Sequence, residues 1–165
     1  MSRERPLTLL LVEDDPTDAE LMTAQLAQSR GEPGFDVERV ALVGDAQRRL
    51  TRRDVDVVLL DLRLPDTMGL DGLTRLVQEF PEVPVVVLTG MDDEAVGLRA
   101  VQEGAQDFLV KGRSESALIE RSLRYAIERK RAEQALARLA AIMGALCYDC
   151  GRKLSAEPYS KRFEN

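Results

Sequence analysis

Five residues of this chain combine reactive side chains with a shared kind of position. Glu13 and Asp14 follow the apolar run Leu7–Val12, Asp61 follows Val55–Leu60, Thr89 follows Val83–Leu88, and Lys111 follows Asp107–Val110. Carboxylates brought to one crevice must bind either a proton or a cation, because two of them ~4 Å apart repel by about 4 kcal/mol at an effective dielectric of 20. A carboxylate can also act as a nucleophile. A lysine ammonium and a threonine hydroxyl are donors suited to an anion. The chain contains no histidine, which excludes a histidine general base, a phosphohistidine and any histidine-ligated metal within it.

The elements that must position these residues alternate along the chain. After Leu7–Val12, the segment Thr17–Gln28 places Ala19, Leu21, Met22, Ala24, Leu26 and Ala27 largely at helical spacing, opened by Pro16 or Thr17. Gly31 to Gly34 is a turn cluster. Phe35–Val40 predicts a second strand, Val43–Arg53 a second helix, Leu70–Phe80 a third and Asp92–Gln102 a fourth. Val55–Leu60 and Val83–Leu88 are apolar on successive residues, so both faces of these strands must be buried, as in a parallel sheet covered by helices. The strand–helix unit repeats five times in roughly 115 residues, which leaves short crossovers and favours a doubly wound sheet. In such sheets, sites collect at the carboxyl ends of strands beside a switch in strand order. The five reactive residues fall at those ends. Asp15 is read as a helix cap and Asp66 as a cap for the loop that follows it, while Gly69 and Gly72 serve a turn and a helix start.

Composition sets the outer bounds. The 165 residues suit one domain with an appendage, and 44% hydrophobic against 32% charged residues fits a solvated globular protein with a core. Aromatics are 4% and Trp is absent, so Leu, Val, Ala and Ile must build that core. The excess of 29 acidic over 23 basic residues argues against a general nucleic-acid binder. No apolar run approaches the ~18–20 residues needed to span a bilayer. The stretch up to Thr8 is too polar for a secretory signal. A soluble cytoplasmic protein, bound neither to membrane nor to nucleic acid, is expected.

Glu13-Asp14, Asp61 within Leu-Leu-Asp-Leu-Arg-Leu-Pro-Asp, Thr89-Gly90 and Lys111, taken in that order, resemble the receiver family of two-component signalling over residues 7 to about 128. The resemblance implies a (βα)5 flavodoxin-like receiver, an α/β fold with a five-stranded, doubly wound parallel sheet. It implies that Asp61 is the phosphoacceptor and forms an acyl phosphate by in-line attack. It implies Mg²⁺ held by Glu13, Asp14, Asp61 and the backbone carbonyl of Arg63. Thr89 and Lys111 would contact the phosphoryl group, and Thr89 and Phe108 would form the switch to the face of the fourth helix, fifth strand and fifth helix. The implied partners are a histidine kinase or phosphotransfer protein and a downstream effector or fused output module. Such an acceptor phosphorylates and dephosphorylates itself and is not a turnover enzyme. Three positions depart from the commonest pattern. Glu13 replaces the frequent Asp, Phe108 lacks the hydroxyl of the frequent Tyr, and Gly112 follows Lys111 where Pro is usual.

From Ser114 the pattern changes to a helix over about Glu115 to Met143. Ile119, Leu123 and Ile127 form one stripe that would cover the sheet of their own domain. Ala132, Leu136, Leu139, Met143 and Leu146 recur at spacings of four, three, four and three, a heptad seam that predicts pairing with a second copy. The alternative is an amphipathic helix folded back on the same chain. The expected organisation is therefore a receiver over 1–128, an extended helix or coiled coil over 129–146 and an irregular tail over 147–165. Cys147 and Cys150 supply two of the four ligands a structural zinc needs, so a reduced, inert pair is expected. Two other functions remain open. One is a scaffold receiver that works without phosphorylation. The other is an aspartyl-phosphate phosphatase, which would need a second Asp two residues beyond the nucleophile, where Arg63 stands.

Overall fold

The computed structural model describes residues 5–28, 31–90 and 93–149, with side-chain surroundings as far as Met143. The expected tail from Cys150 onward, Cys150 itself included, lies outside these residues, and Cys147 to Asp149 continue a helix. The elements run β1 (Leu7–Val12), α1 (Pro16–Ala27), β2 (Phe35–Val40), α2 (Val43–Leu50), β3 (Val57–Asp61), α3 (Asp71–Glu79), β4 (Val85–Thr89), α4 (Glu94–Gln102), β5 (Asp107–Val110) and α5 (Ser116–Asp149). The five strands form one sheet in the order β2-β1-β3-β4-β5, and every pairing is parallel. This is the doubly wound arrangement that the apolar runs require.

Side-chain alternation along the strands sends alternate residues to opposite faces, and each face has its own core. On one face Leu9, Leu11, Val57, Leu59, Val86 and Leu88 pack with Met22 and Leu26 of α1 and with Ile119, Leu123 and Ile127 of α5. On the other, Leu10, Val12, Val58, Leu60, Val85 and Val87 pack with Val43 and Leu50 of α2, Leu73 and Leu76 of α3, and Ala100 of α4. The central strands β3 and β4 are buried at every residue. That explains why they lack the polar alternation of a half-exposed strand.

Several element ends differ from the sequence pattern, each for a local reason. β3 and β4 begin and end later than predicted, because Asp61 and Thr89 are themselves in register with Leu88 and Val110. A backbone can join the ladder whatever its side chain. α2 stops at Leu50, its last buried apolar residue, and Arg53 closes the turn in the left-handed region at φ 57°. Asp15 caps α1 as expected, its Oδ1 accepting from the backbone N–H of Thr17 at 2.7 Å and of Asp18 at 3.1 Å. Asp66 is not a cap for its own loop. Its carboxylate accepts from the backbone N–H groups of Val43 (3.2 Å) and Gly44 (3.1 Å), so it caps α2, whose N-cap Leu42 has no side chain to offer. Gly112 adopts φ 74°, which a proline ring fixed near −65° cannot reach. The bend after Lys111 is therefore built differently from one made with proline.

Phe108 of β5 is half-buried against α4. A Cβ added at Gly97 would fall inside contact distance of the Phe108 ring. We expect Gly97→Ala to destabilise the fold by about 1–2 kcal/mol, since overpacking outweighs the gain in helix propensity. Urea unfolding checks this. A variant more stable than the parent would show that the ring has room to move.

The chain divides into two units, residues 1–130 and 131–165. In the first, the Ile119, Leu123 and Ile127 stripe of α5 covers the sheet as anticipated. In the second, Leu136, Leu139, Ile142 and Met143 are each more than half exposed. No helix among the described residues is long and apolar enough to cross a membrane.

Candidate functional site

The strand order reverses between β1 and β3, and the carboxyl ends of these strands deliver the acids to one place. Glu13 leaves β1 with its backbone N–H on the Val40 carbonyl at 2.9 Å. Its side chain turns inward and is only 1% exposed, while Asp14 is exposed. Asp61 ends β3 and is 5% exposed. One carboxylate oxygen from each of Glu13, Asp14 and Asp61 lies within 4.8 Å of the others. Lys111, just past β5, reaches this cluster. Its Nζ donates to Glu13 Oε2 at 2.6 Å and to Asp61 Oδ2 at 2.7 Å.

Each buried carboxylate has further support. Glu13 Oε1 accepts from the Asp15 N–H at 3.1 Å, and Asp61 Oδ1 accepts from the Arg63 N–H at 3.0 Å. Burial pushes the Glu13 carboxyl above its ordinary range, with the Lys111 hydrogen bond opposing and the Asp61 charge reinforcing the rise. Burial also works against the Lys111 ammonium. Its hydrogen bonds to Asp61, Glu13 and Asp18 outweigh that and hold it charged well above the usual lysine range.

The remaining expected residues lie around this cluster in different ways. Thr89 is 1% exposed at the end of β4, and its hydroxyl donates to the Leu109 carbonyl at 3.4 Å. The Thr89 carbonyl accepts from the Lys111 N–H at 2.8 Å, so threonine and lysine are in fixed register. Phe108 packs toward α4. Arg63 pairs its guanidinium with Asp93, and this ion pair passes over Gly90, where a Cβ would lie 2.9 Å from Arg63 Nη2.

Two contributors were not anticipated. Asp18, in the first turn of α1, accepts a third hydrogen bond from Lys111 Nζ at 2.9 Å. Arg39 of β2 donates from Nε to the Glu13 carbonyl (3.0 Å) and from a guanidinium nitrogen to the Asp14 carbonyl (2.7 Å), clamping the backbone that carries both acids. A signal for Asp18 was available in the sequence. It lies three residues beyond the capping Asp15, in the helix turn that directly follows the strand end carrying Glu13 and Asp14.

The residues fit a hard divalent cation. The donors are all oxygens, three carboxylates crowd one ammonium, and at least one of the acids is exposed on the open side. The profile of the family described as the response regulator receiver domain matches residues 9–122. The chain belongs to the response regulator receiver family. The receiver is 40% identical over 109 residues to a protein-glutamate methylesterase/protein-glutamine glutaminase of Anaeromyxobacter dehalogenans, covering 66% of this chain and 31% of that protein. It is 40% identical over 106 residues to the DNA-binding response regulator MtrA of Mycolicibacterium smegmatis, covering 62% of this chain and 43% of MtrA. A response regulator receiver domain protein of Clostridium thermocellum superimposes with a TM-score of 0.66 at 25% identity, over 76% of this chain and 98% of that one. The receiver thus spans less than half of these two curated relatives, and the part they share is a signalling module of two-component systems.

Proposed function

We propose that the receiver accepts a phosphoryl group on Asp61 from a histidine kinase or phosphotransfer protein and returns it to water. The observation that carries this reading is the ammonium of Lys111 placed on Asp61 and Glu13 beside the carboxylate of Asp14. In the forward step an Asp61 oxygen attacks phosphorus, the bond from phosphorus to the donor breaks, and the donor keeps the electron pair. Glu13, Asp14, Asp61 and the Arg63 carbonyl would hold Mg²⁺, which when bound neutralises charge on the phosphoryl oxygens. Lys111 would donate to one phosphoryl oxygen once one of its present carboxylate partners gives up the ammonium. The Thr89 hydroxyl donates to the Leu109 carbonyl through a long bond, which costs little to exchange for one to another phosphoryl oxygen. The Phe108 ring would then take up the space vacated, altering the face made by α4, β5 and α5.

In this reading the module acts on no diffusible substrate. The phosphatase alternative is disfavoured by Arg63, which has no proton-accepting group to offer where that chemistry needs a carboxylate. The esterase and glutaminase activities belong to a relative of which this chain spans 31%. A scaffold receiver that never takes up phosphate stays as the second reading, favoured only by the occupied state of Lys111. Signalling in the cytoplasm would pass to a downstream effector or fused output module, and a second copy would pair along Ala132, Leu136, Leu139 and Met143.

Acetyl phosphate with Mg²⁺, read by intact mass, tests the proposal. A phosphoryl adduct that requires Mg²⁺ is expected, and no adduct would favour the scaffold. Mg²⁺ should also raise the melting temperature, since a ligand that binds only the folded state at 100 times its Kd stabilises it by about 2.7 kcal/mol. Identical melting in Mg²⁺ and in chelator would remove the cation site.

A further inference from the structure

We propose that Asp18 is a positioning residue for Lys111, which shares the ammonium with the acidic pocket and competes with a phosphoryl group for it. The inference rests on the phosphoacceptor reading and adds to it a group outside the three carboxylates that could hold a cation. A lysine ammonium has three N–H donors. In this structure all three have carboxylate partners: Glu13 Oε2 at 2.6 Å, Asp61 Oδ2 at 2.7 Å and Asp18 Oδ2 at 2.9 Å.

An anion arriving on Asp61 therefore finds no spare donor and must displace one of these partners. Burial decides which. Glu13 and Asp61 side chains are 1% and 5% exposed, so water cannot replace the ammonium there, and unpairing either requires another cation in the pocket. The Asp18 side chain is 46% exposed, and water replaces the lysine there at small cost. Asp18 is itself held in place, because its backbone N–H donates to Asp15 Oδ1 at 3.1 Å in the capped first turn of α1. The capped helix start thus holds the backbone that carries a half-exposed carboxylate, which steadies Lys111 in the resting state and is the first to give it up.

Binding of beryllofluoride, a phosphoryl mimic, in the presence of Mg²⁺ separates this role from a structural one. Structural damage weakens binding, whereas removal of a competitor tightens it. Calorimetry should give Asp18→Asn a Kd about threefold to fivefold lower than that of the parent, the range expected for loss of a half-exposed ion pair. Glu20→Gln removes one charge from the exposed side of the same helix and should leave the Kd unchanged. An unaltered or raised Kd for Asp18→Asn overturns the inference, as does an equal gain in Glu20→Gln, which would mean a general effect of charge. Failure of the parent chain to bind beryllofluoride at all would instead sink the phosphoacceptor reading, and this inference with it.

Discussion

Asp61→Asn should abolish the phosphoryl adduct formed with acetyl phosphate and Mg²⁺, lowering its yield at least ~100-fold. Asparagine has nearly the shape of aspartate and keeps an oxygen that can accept from the Arg63 N–H, so the β3 end and its loop stay in place. What disappears is the proposed nucleophile. An amide oxygen has no full negative charge to direct at phosphorus, and no acyl phosphate can form on it. The substitution also takes one of three acids from the cluster, so the gain in melting temperature on adding Mg²⁺ should shrink in the same variant. Intact-mass measurement on parent and variant, with circular dichroism to show equal folding, decides the matter. An adduct of parental yield on the variant would place the acceptor elsewhere.

Lys111→Met should strongly destabilise the fold in the absence of divalent cation. It leaves the Glu13 and Asp61 carboxylates, 1% and 5% exposed, without their shared cation. Removing one partner of a buried ion pair costs about 3–5 kcal/mol, and here one lysine serves two buried acids. The variant should respond to pH in a characteristic direction. Burial already raises the Glu13 carboxyl above its ordinary value of 4.5, and loss of Lys111 removes the hydrogen bond that opposes the rise. With the folded value above the unfolded one, the unfolded chain binds fewer protons between the two, so stability is greatest below the ordinary value and falls as pH rises through the folded one. Urea unfolding in chelator should therefore show the gap between parent and variant narrowing toward pH 4 and widening toward pH 7. Millimolar Mg²⁺ should close part of the gap at neutral pH, because a cation can take the place of the ammonium. A constant gap across that range would mean that Lys111 is not neutralising the buried acids.

The fold was legible in the sequence because burial on both faces leaves a plain signature. Val57–Leu60 and Val85–Leu88 carry no polar residue, and a sheet covered on both sides follows from that. The acids and the lysine were legible because each stands where such a run stops. What stayed hidden depends on neighbours that only the folded chain brings together. Arg39 reads as an ordinary charge on an edge strand until β2 is laid beside β1, which puts its guanidinium on the Glu13 and Asp14 carbonyls. Asp18 reads as a favourable acid in the first turn of a helix until Lys111 arrives from 93 residues away. The ends of β3 and β4 were misplaced because hydrophobicity reports side chains, whereas the strand ladder is made by the backbone of Asp61 and Thr89 as readily as by that of leucine.

The carboxylate of Asp66 closes the start of α2 from a loop five residues beyond Asp61, across 22 and 23 positions of sequence. Recombination between receivers would respect that stitch. A chimaera joined anywhere between Gly44 and Asp66 takes a helix from one parent and its stopper from another. Residues 43–66 consequently work as a block, with β3 and Asp61 inside it.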